Sequence, residues 1–342
     1  MTRRDKTLSS NAKRGMRALA GANRVTERSM AAACRFGQKE FTRDVFNLVT
    51  HETAIRHALD RVVRQDQLLV GAKLANCIRD LDDSAQFMSH LLRQEECDLT
   101  HLDRATIKNG NRSQRIGIPS IWDRAVGQAI VDVVSPYLTA LTAKSSDVWP
   151  CSDRSDALAT VRRLASSAEK WILLPVTVKN PFRAVPRKSA LSLLMRQLPN
   201  ARLLAMVEQL VPELKTGLLV TQPASRLLAE TYVGALLSTV SFPATVVRVL
   251  GHMLIMARTG HEALETECQL RSALSTGELR TKRALEGPVD IRQRRVNWLS
   301  VGVGIAGGRF HATPVDAPFN LADEIHLGPV SPVPHSMAQM AS

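Results

Sequence analysis

From Ala157 to Val289 the chain contains no aspartate. Any carboxylate chemistry in that long span must therefore use glutamate. Aromatic residues make up only 4% of the chain, which leaves few stacking platforms for single-stranded bases and favours backbone and shape recognition over base reading. The five cysteines are odd in number, far apart and never in a C-x-x-C pair. That spacing excludes a zinc ribbon and a disulfide framework, and it predicts reduced thiols in a cytoplasmic protein. No window approaches eighteen apolar residues, so no membrane span is expected. Arg3 and Arg4 are not followed by an apolar stretch, which argues against export.

What is present is a globular composition with an excess of positive charge. Of 342 residues 44% are hydrophobic, enough for one large or two ordinary domains. The 45 Lys and Arg against 32 Asp and Glu give a net charge of +13, which favours polyanionic partners. The first forty residues carry ten Lys or Arg against Asp5, Glu27 and Glu40. Such an arm suits contact with phosphates, with a solvated tail as the plain alternative and an organellar transit peptide as another.

Apolar positions from Val45 to Leu92 recur near helical spacing and predict two or three helices. Lys108-Asn-Gly-Asn-Arg112 predicts a basic hairpin turn ahead of a strand at Ile116–Ile118. Ser155 is the expected N-cap of the next helix, Trp171–Val178 reads as a strand, and Pro186 opens a further helix. Helices are predicted at Ala201–Leu210 and Ala224–Leu237, separated by a break at Gly217. Two short apolar runs flank Gly251-His252 and predict a β-hairpin with those two residues as its turn. Thr259-Gly-His-Glu262 reads as a capping box before a helix ending at Gly277. A strand at Val296–Ile305 and a loose tail from Pro314 complete the chain. The order predicts an α+β fold, a small antiparallel sheet with helices on one face.

One segment is more specific than composition. In RIGIPSIWDRAVGQAIVDVVSPYL, Arg115, Gly117, Ile118, Pro119, Ser120, Asp123, Arg124, Gln128 and Ala129 stand in the register R-x-G-I-P-[ST]-x-x-D-R-x-x-x-Q-A, followed by a helix that should end near a proline. This resembles the fingers motif of group II intron-type and related bacterial reverse transcriptases. Further stretches follow in that family's order. WILLPVTVKNPFRAVP resembles the strand that bears the first metal-binding aspartate, with Lys179, Phe182 and Pro186 in place and Thr177 at the metal-binding position. Two more acidic positions of the pattern are Pro175 and Arg183. Gly217 to Val233 keeps the helix half of G-x-P-Q-G-x-x-x-S-P-L-L-A-N-x-Y-L through Ser225, Leu227, Leu228, Ala229 and Tyr232, with Val220 and Thr221 in place of its Gln and Gly. Arg248, Ile255 and Ala257-Arg258-Thr259 align with R-Y-A-D-D-F-x-I-L-A-R-T, which sets Gly251 and His252 at the paired aspartates. The R-P-G-R-S element survives as Arg154-Ser155, its leading Arg replaced by Cys151. Trp298-Leu299 and Lys282 resemble the primer-grip and motif-D positions, with core and surface roles as alternatives.

The resemblance implies a right-hand polymerase fingers-palm with an N-terminal helical region, divided into a basic arm (1–40), a helical and fingers region (41–170), a palm-like domain (171–310) and a tail (311–342). No thumb is expected after the primer-grip region. The family's polymerases need two divalent ions on carboxylates. Thr177, Gly251 and His252 cannot provide these, and the nearest acids, Glu230 and Glu262, read as solvated or capping. The expectation is therefore a polymerase-inactive, reverse-transcriptase-like protein with no cofactor, binding RNA or an RNA/DNA hybrid through Lys108, Arg112, Arg115, Arg124, Arg154 and Lys179. An active RNA-directed DNA polymerase using Mg²⁺, and a remnant without function, are the alternatives.

Overall fold

The structure is a computed structural model that describes residues 38–66, 81–109, 112–142, 147–168, 170–214, 217–282, 287–306 and 309–314. The basic arm before residue 38 and the tail after Pro314 lie outside the described residues. So do Leu68, Leu69, Ala72 and Leu74 of the first helical pattern.

Three helices come first, α1 (Gln38–Val49), α2 (Glu52–Asp66) and α3 (Leu81–Gln94). α1 and α2 pack on α4 (Ile121–Thr142) and α3 packs on α2, with Phe41 of α1 stacked on Tyr137 at 4.6 Å between ring centroids. Between α3 and α4 stands the hairpin β1 (Leu102–Asn109) and β2 (Arg112–Pro119), closed at Asn109 opposite Arg112 as the Asn-Gly signal requires. Its strands are longer than the apolar triplet alone suggested. Ser120 caps α4, its Oγ accepting the Asp123 N–H at 3.0 Å. The helix does not stop near its proline. It runs through Pro136 to Thr142, so the Asp132 carbonyl loses its helical donor, and burial of Val133, Val134, Tyr137 and Leu138 offsets that loss.

The remaining elements are β3 (Val148–Pro150), α5 (Arg154–Ala168), β4 (Ile172–Thr177), the single turn α6 (Pro181–Ala184), α7 (Arg187–Gln197), α8 (Ala201–Leu210), α9 (Pro223–Leu237), β5 (Thr245–Val249), β6 (His252–Ala257), α10 (Gly260–Thr276), β7 (Val289–Asp290), β8 (Val296–Trp298), β9 (Val301–Ala306) and β10 (Arg309–Pro314). Five strands form one sheet in the order β3-β5-β6-β4-β7, and β8, β9 and β10 form a second.

Two features of the sheet correct the sequence expectation. First, β3 joins β5 in parallel, so the sheet is mixed. Second, it is buried on both faces. Leu174, Val176, Val246, Met253 and Ile255 pack towards the helices, while Leu173, Val247, Leu254 and Met256 pack against α5 and the β8–β9 hairpin with its Trp298. Trp298 is therefore a core residue, 3% exposed. The Val296–Ile305 run is not one strand but a hairpin, turned at Leu299 (φ 53°) and Ser300 (φ 54°). β10 continues to Pro314, where a loose tail was expected from residue 311.

Pro175 stands inside β4, which has neighbours on both sides. Strand parity explains why it is tolerated. Thr177 O and Lys179 N face away from β6, as the bonds Lys282 N→Thr177 O (2.7 Å) and Lys179 N→Arg280 O (2.6 Å) show, so residue 175 turns its backbone nitrogen the same way. On that side β7 pairs only with Ile172 and Leu173, and the next bridge is Val178 with Thr281. Proline's missing N–H thus falls in a gap in the ladder.

Caps set the helix ends. Thr259 Oγ1 accepts the Glu262 N–H at 3.2 Å and Glu262 Oε2 accepts the Arg258 N–H at 3.0 Å, a capping box shifted by one donor. α5 is capped by Asp153 rather than Ser155, its Oδ1 accepting the Asp156 N–H at 2.9 Å. Gly217, at φ 65°, is required twice over, because a β-carbon there would lie 2.2 Å from Phe182 O.

Candidate functional site at the β5–β6 turn

β4 ends where β6 begins, and Thr177 and His252 are direct cross-strand partners. The three positions that the fingers-palm resemblance assigns to metal-binding aspartates thus come together in space. On the β6 side Val178 N donates to Gly251 O at 2.8 Å, and on the other side the row extends to an isolated bridge, where Lys282 N donates to Thr177 O. Parity puts Thr177 and His252 on the sheet face opposite to Val176, Val178 and Met253, which belong to the helix-packed core.

The turn itself is displaced by one residue from the sequence expectation. Val249 pairs with His252, so Leu250 and Gly251 make the turn and His252 opens β6. Leu250, not the glycine, takes the left-handed conformation at φ 50°. Gly251 is needed for space, because a β-carbon would lie 3.0 Å from Pro181 Cγ and 3.4 Å from Val178 Cβ. Placing leucine in the strained position costs on the order of 1–2 kcal/mol. Burial of its side chain, 3% exposed, offsets the strain.

A charged pair holds this turn from the helix side. Glu230 on α9 accepts from Arg248 on β5 through Oε2 and from the Leu250 N–H through Oε1 at 2.8 Å. Arg248 is 4% exposed, and the Glu230 side chain 23%. Glu230, though its side chain keeps some contact with solvent, is therefore neither a helix cap nor a freely solvated charge, the two roles its sequence position suggests. It is the counter-ion of a buried arginine and a brace on a strained backbone. A signal for this pair was present in the sequence: one arginine in the strand TVVRV and one glutamate in a Leu-Ala helix are isolated charges in buried elements, and such charges must pair.

His252 is uncharged at neutral pH. Burial, reinforced by the Lys282 ammonium, pushes its imidazole down to about 4. The donors at this place are then a threonine hydroxyl and a neutral imidazole, beside a lysine. Mg²⁺ takes near-octahedral oxygen coordination anchored by carboxylates, and the carboxylate that reaches the turn, Glu230, has both oxygens committed. Among the described residues no group of three or more His, Cys, Asp or Glu could hold a metal ion. The residues present do not fit the ions that the resemblance implies.

No family model matches the chain, and no curated protein is similar to it in sequence. Among solved structures it is similar to a partial Cas6-RT-Cas1–Cas2 complex, at 14% identity and TM-score 0.38 over 66% of this chain and 43% of that one. It is also similar to a Cas6-RT-Cas1–Cas2 complex, at 11% identity and TM-score 0.39 over 78% of this chain and 36% of that one. The RNA-dependent RNA polymerase of bacteriophage phi12 aligns at 9% identity and TM-score 0.39 over 63% and 38%. The chain spans less than half the length of each.

The other candidate residues do not converge on the turn, apart from Lys179, which is exposed one residue past the bridge at Val178. Lys108, Arg112 and Arg115 stand on the β1–β2 hairpin, opposite Ser113, Asn109 and Thr106, and their side chains lie outside the described residues. Arg124 sits in the first turn of α4, and Arg154 is exposed at the start of α5, which packs on β5 and β10. Cys151, where the fingers arginine was expected, is 7% exposed, its N–H donating to Arg248 O at 2.8 Å. Asp123 is 2% exposed, and burial holds its carboxyl above the usual range. Gln222, 1% exposed, donates to the Asp123 carbonyl at 3.4 Å, a buried polar link between α4 and α9 that the sequence reading missed.

Proposed function

We propose that the chain is a reverse-transcriptase-like protein of the cytoplasm that does not polymerise and that holds RNA, or an RNA/DNA hybrid, through basic surfaces. In this reading the hairpin and N-terminal helices act as fingers and the five-stranded sheet as a palm. The observation that carries it is the pairing of Thr177 with His252 beside a turn in which Gly251 is packed against Pro181 and the carboxylate that reaches the turn among the described residues, Glu230, is engaged by Arg248. Nucleotidyl transfer needs two ions held by carboxylate oxygens. Loss of several kcal/mol of that stabilisation slows the reaction by roughly a thousandfold or more. The +13 net charge supports a polyanionic partner.

The test is primer extension on poly(rA)/oligo(dT) with Mg²⁺ and with Mn²⁺, beside a salt titration of RNA binding. The expected result is no incorporation above a no-enzyme control, with an affinity that falls as salt rises. Template-dependent synthesis would overturn the first half of the proposal, and a salt-independent affinity the second.

A further inference from the structure

The sheet end that holds Thr177 and His252 carries a concentration of positive charge. Val178 and Thr281 form a bridge, which puts Lys179 opposite Arg280 and Thr177 opposite Lys282. In a strand, residues two apart share a face, and so do direct cross-strand partners. Val178 belongs to the helix-packed core, so Thr177, Lys179, Arg280, Lys282 and His252 all lie on the opposite face. Adjacent strands are about 4.8 Å apart and alternate residues about 6.7 Å, so the three cations fall within a patch about one phosphodiester unit across. Lys179, Arg280 and Lys282 are all exposed, and none makes an ion pair among the described residues. The nearest acid in sequence, Glu278, is beside Tyr232 on the helix side. A threonine hydroxyl and a neutral imidazole add uncharged hydrogen-bonding groups to the same row.

From this juxtaposition we infer that Lys179, Arg280 and Lys282, with Thr177 and His252 beneath them, form a phosphate-binding site that grips the backbone of a single-stranded RNA without any metal ion. Protein-borne charge stands where bound cations would otherwise be needed to meet phosphate. Because the groups are fixed donors, retention of the strand does not depend on divalent ions. The inference deepens the RNA-binding reading above and rests on it for the identity of the ligand.

The test measures fluorescence anisotropy of a labelled oligo(A) RNA with the full chain in EDTA, over a series of salt concentrations. The triple variant K179Q/R280Q/K282Q is expected to weaken binding about 10- to 50-fold at physiological salt and to lower the slope of log K against log salt by about 2, at roughly 0.7 per phosphate contacted. A charge-matched control on exposed helix positions, K188Q/R196Q/R271Q, should leave the slope nearly unchanged. Urea midpoints confirm that each variant folds, and the single changes K179Q and K282Q replace the triple if it does not. An unchanged slope in the triple variant, or an equal loss in the control, overturns the site while leaving RNA binding standing. Binding by the wild type that appears only with Mg²⁺ overturns metal independence. No binding under either condition removes both this inference and the reading beneath it.

Discussion

Arg248 is a charge in a place where a charge is expensive, and its whole stability rests on one partner. Removing a single member of a buried pair typically costs 3–5 kcal/mol, because the other is left uncompensated. Glu230 is partly solvated, so Glu230→Ala should lose about 3 kcal/mol, read as a shift in urea midpoint without a change in its slope. The double variant E230L/R248M should recover most of that loss, since matched apolar side chains need no counter-ion. A midpoint for the double variant as low as the single would show that the brace on Leu250, not the ion pair, dominates. His252 gives a second residue-scale outcome. Its folded value of about 4 lies below the ordinary 6.5, so the unfolded chain binds the proton more readily. Stability is therefore full above about pH 6.5 and declines as pH falls towards 4, by about 3 kcal/mol at most. His252→Gln should flatten this window in urea titrations at stepped pH; a profile identical to wild type would show that the imidazole is not the group responsible.

Elements were legible where local chemistry dictates them. The Asn-Gly hairpin, the helix at Ala201–Leu210, the glycine break at 217 and the Thr259 box all stand where their residues place them. Thr259→Ala should cost about 1 kcal/mol in the same denaturation assay, and a loss near zero would mean that Glu262 alone secures the end of α10. The β5–β6 turn was misplaced by one residue for a tertiary reason. Glycine usually marks the left-handed position, but here the contact with Pro181 claims it, so Leu250 takes the strain. α5 is capped two residues earlier than Ser155, because Asp153 accepts the Asp156 N–H while Asp156 reaches back to accept the Ser152 N–H, a reciprocal pair of carboxylate caps that a lone serine hydroxyl does not match. The second covered face of the sheet did leave a trace. TVVRV and HMLIMA are nearly continuous apolar runs rather than alternating ones, which is the pattern of strands buried on both sides.

At the scale of the whole molecule, the candidate site was legible only through the resemblance, since no composition or period marks Thr177 and His252 as neighbours; a register between strands some 75 positions apart in sequence decides it. Arg280 and Gln222 entered through the fold alone, and the role of Glu230 was settled by it, because their partners are set by packing of distant segments. The order β3-β5-β6-β4-β7 has one further consequence. Its margins are β3, three residues closing on Pro150, and the two residues of β7, while the apolar strands lie between them. A margin that short, and tipped with proline, offers almost no free amide row to a neighbouring molecule. Once folded, this sheet is guarded against edge-to-edge pairing; its hazard belongs to the nascent chain, whose β4, β5 and β6 segments stay exposed until residues from β3 to β7 have all been made, so synthesis and refolding are the stages at which these strands are most prone to self-association.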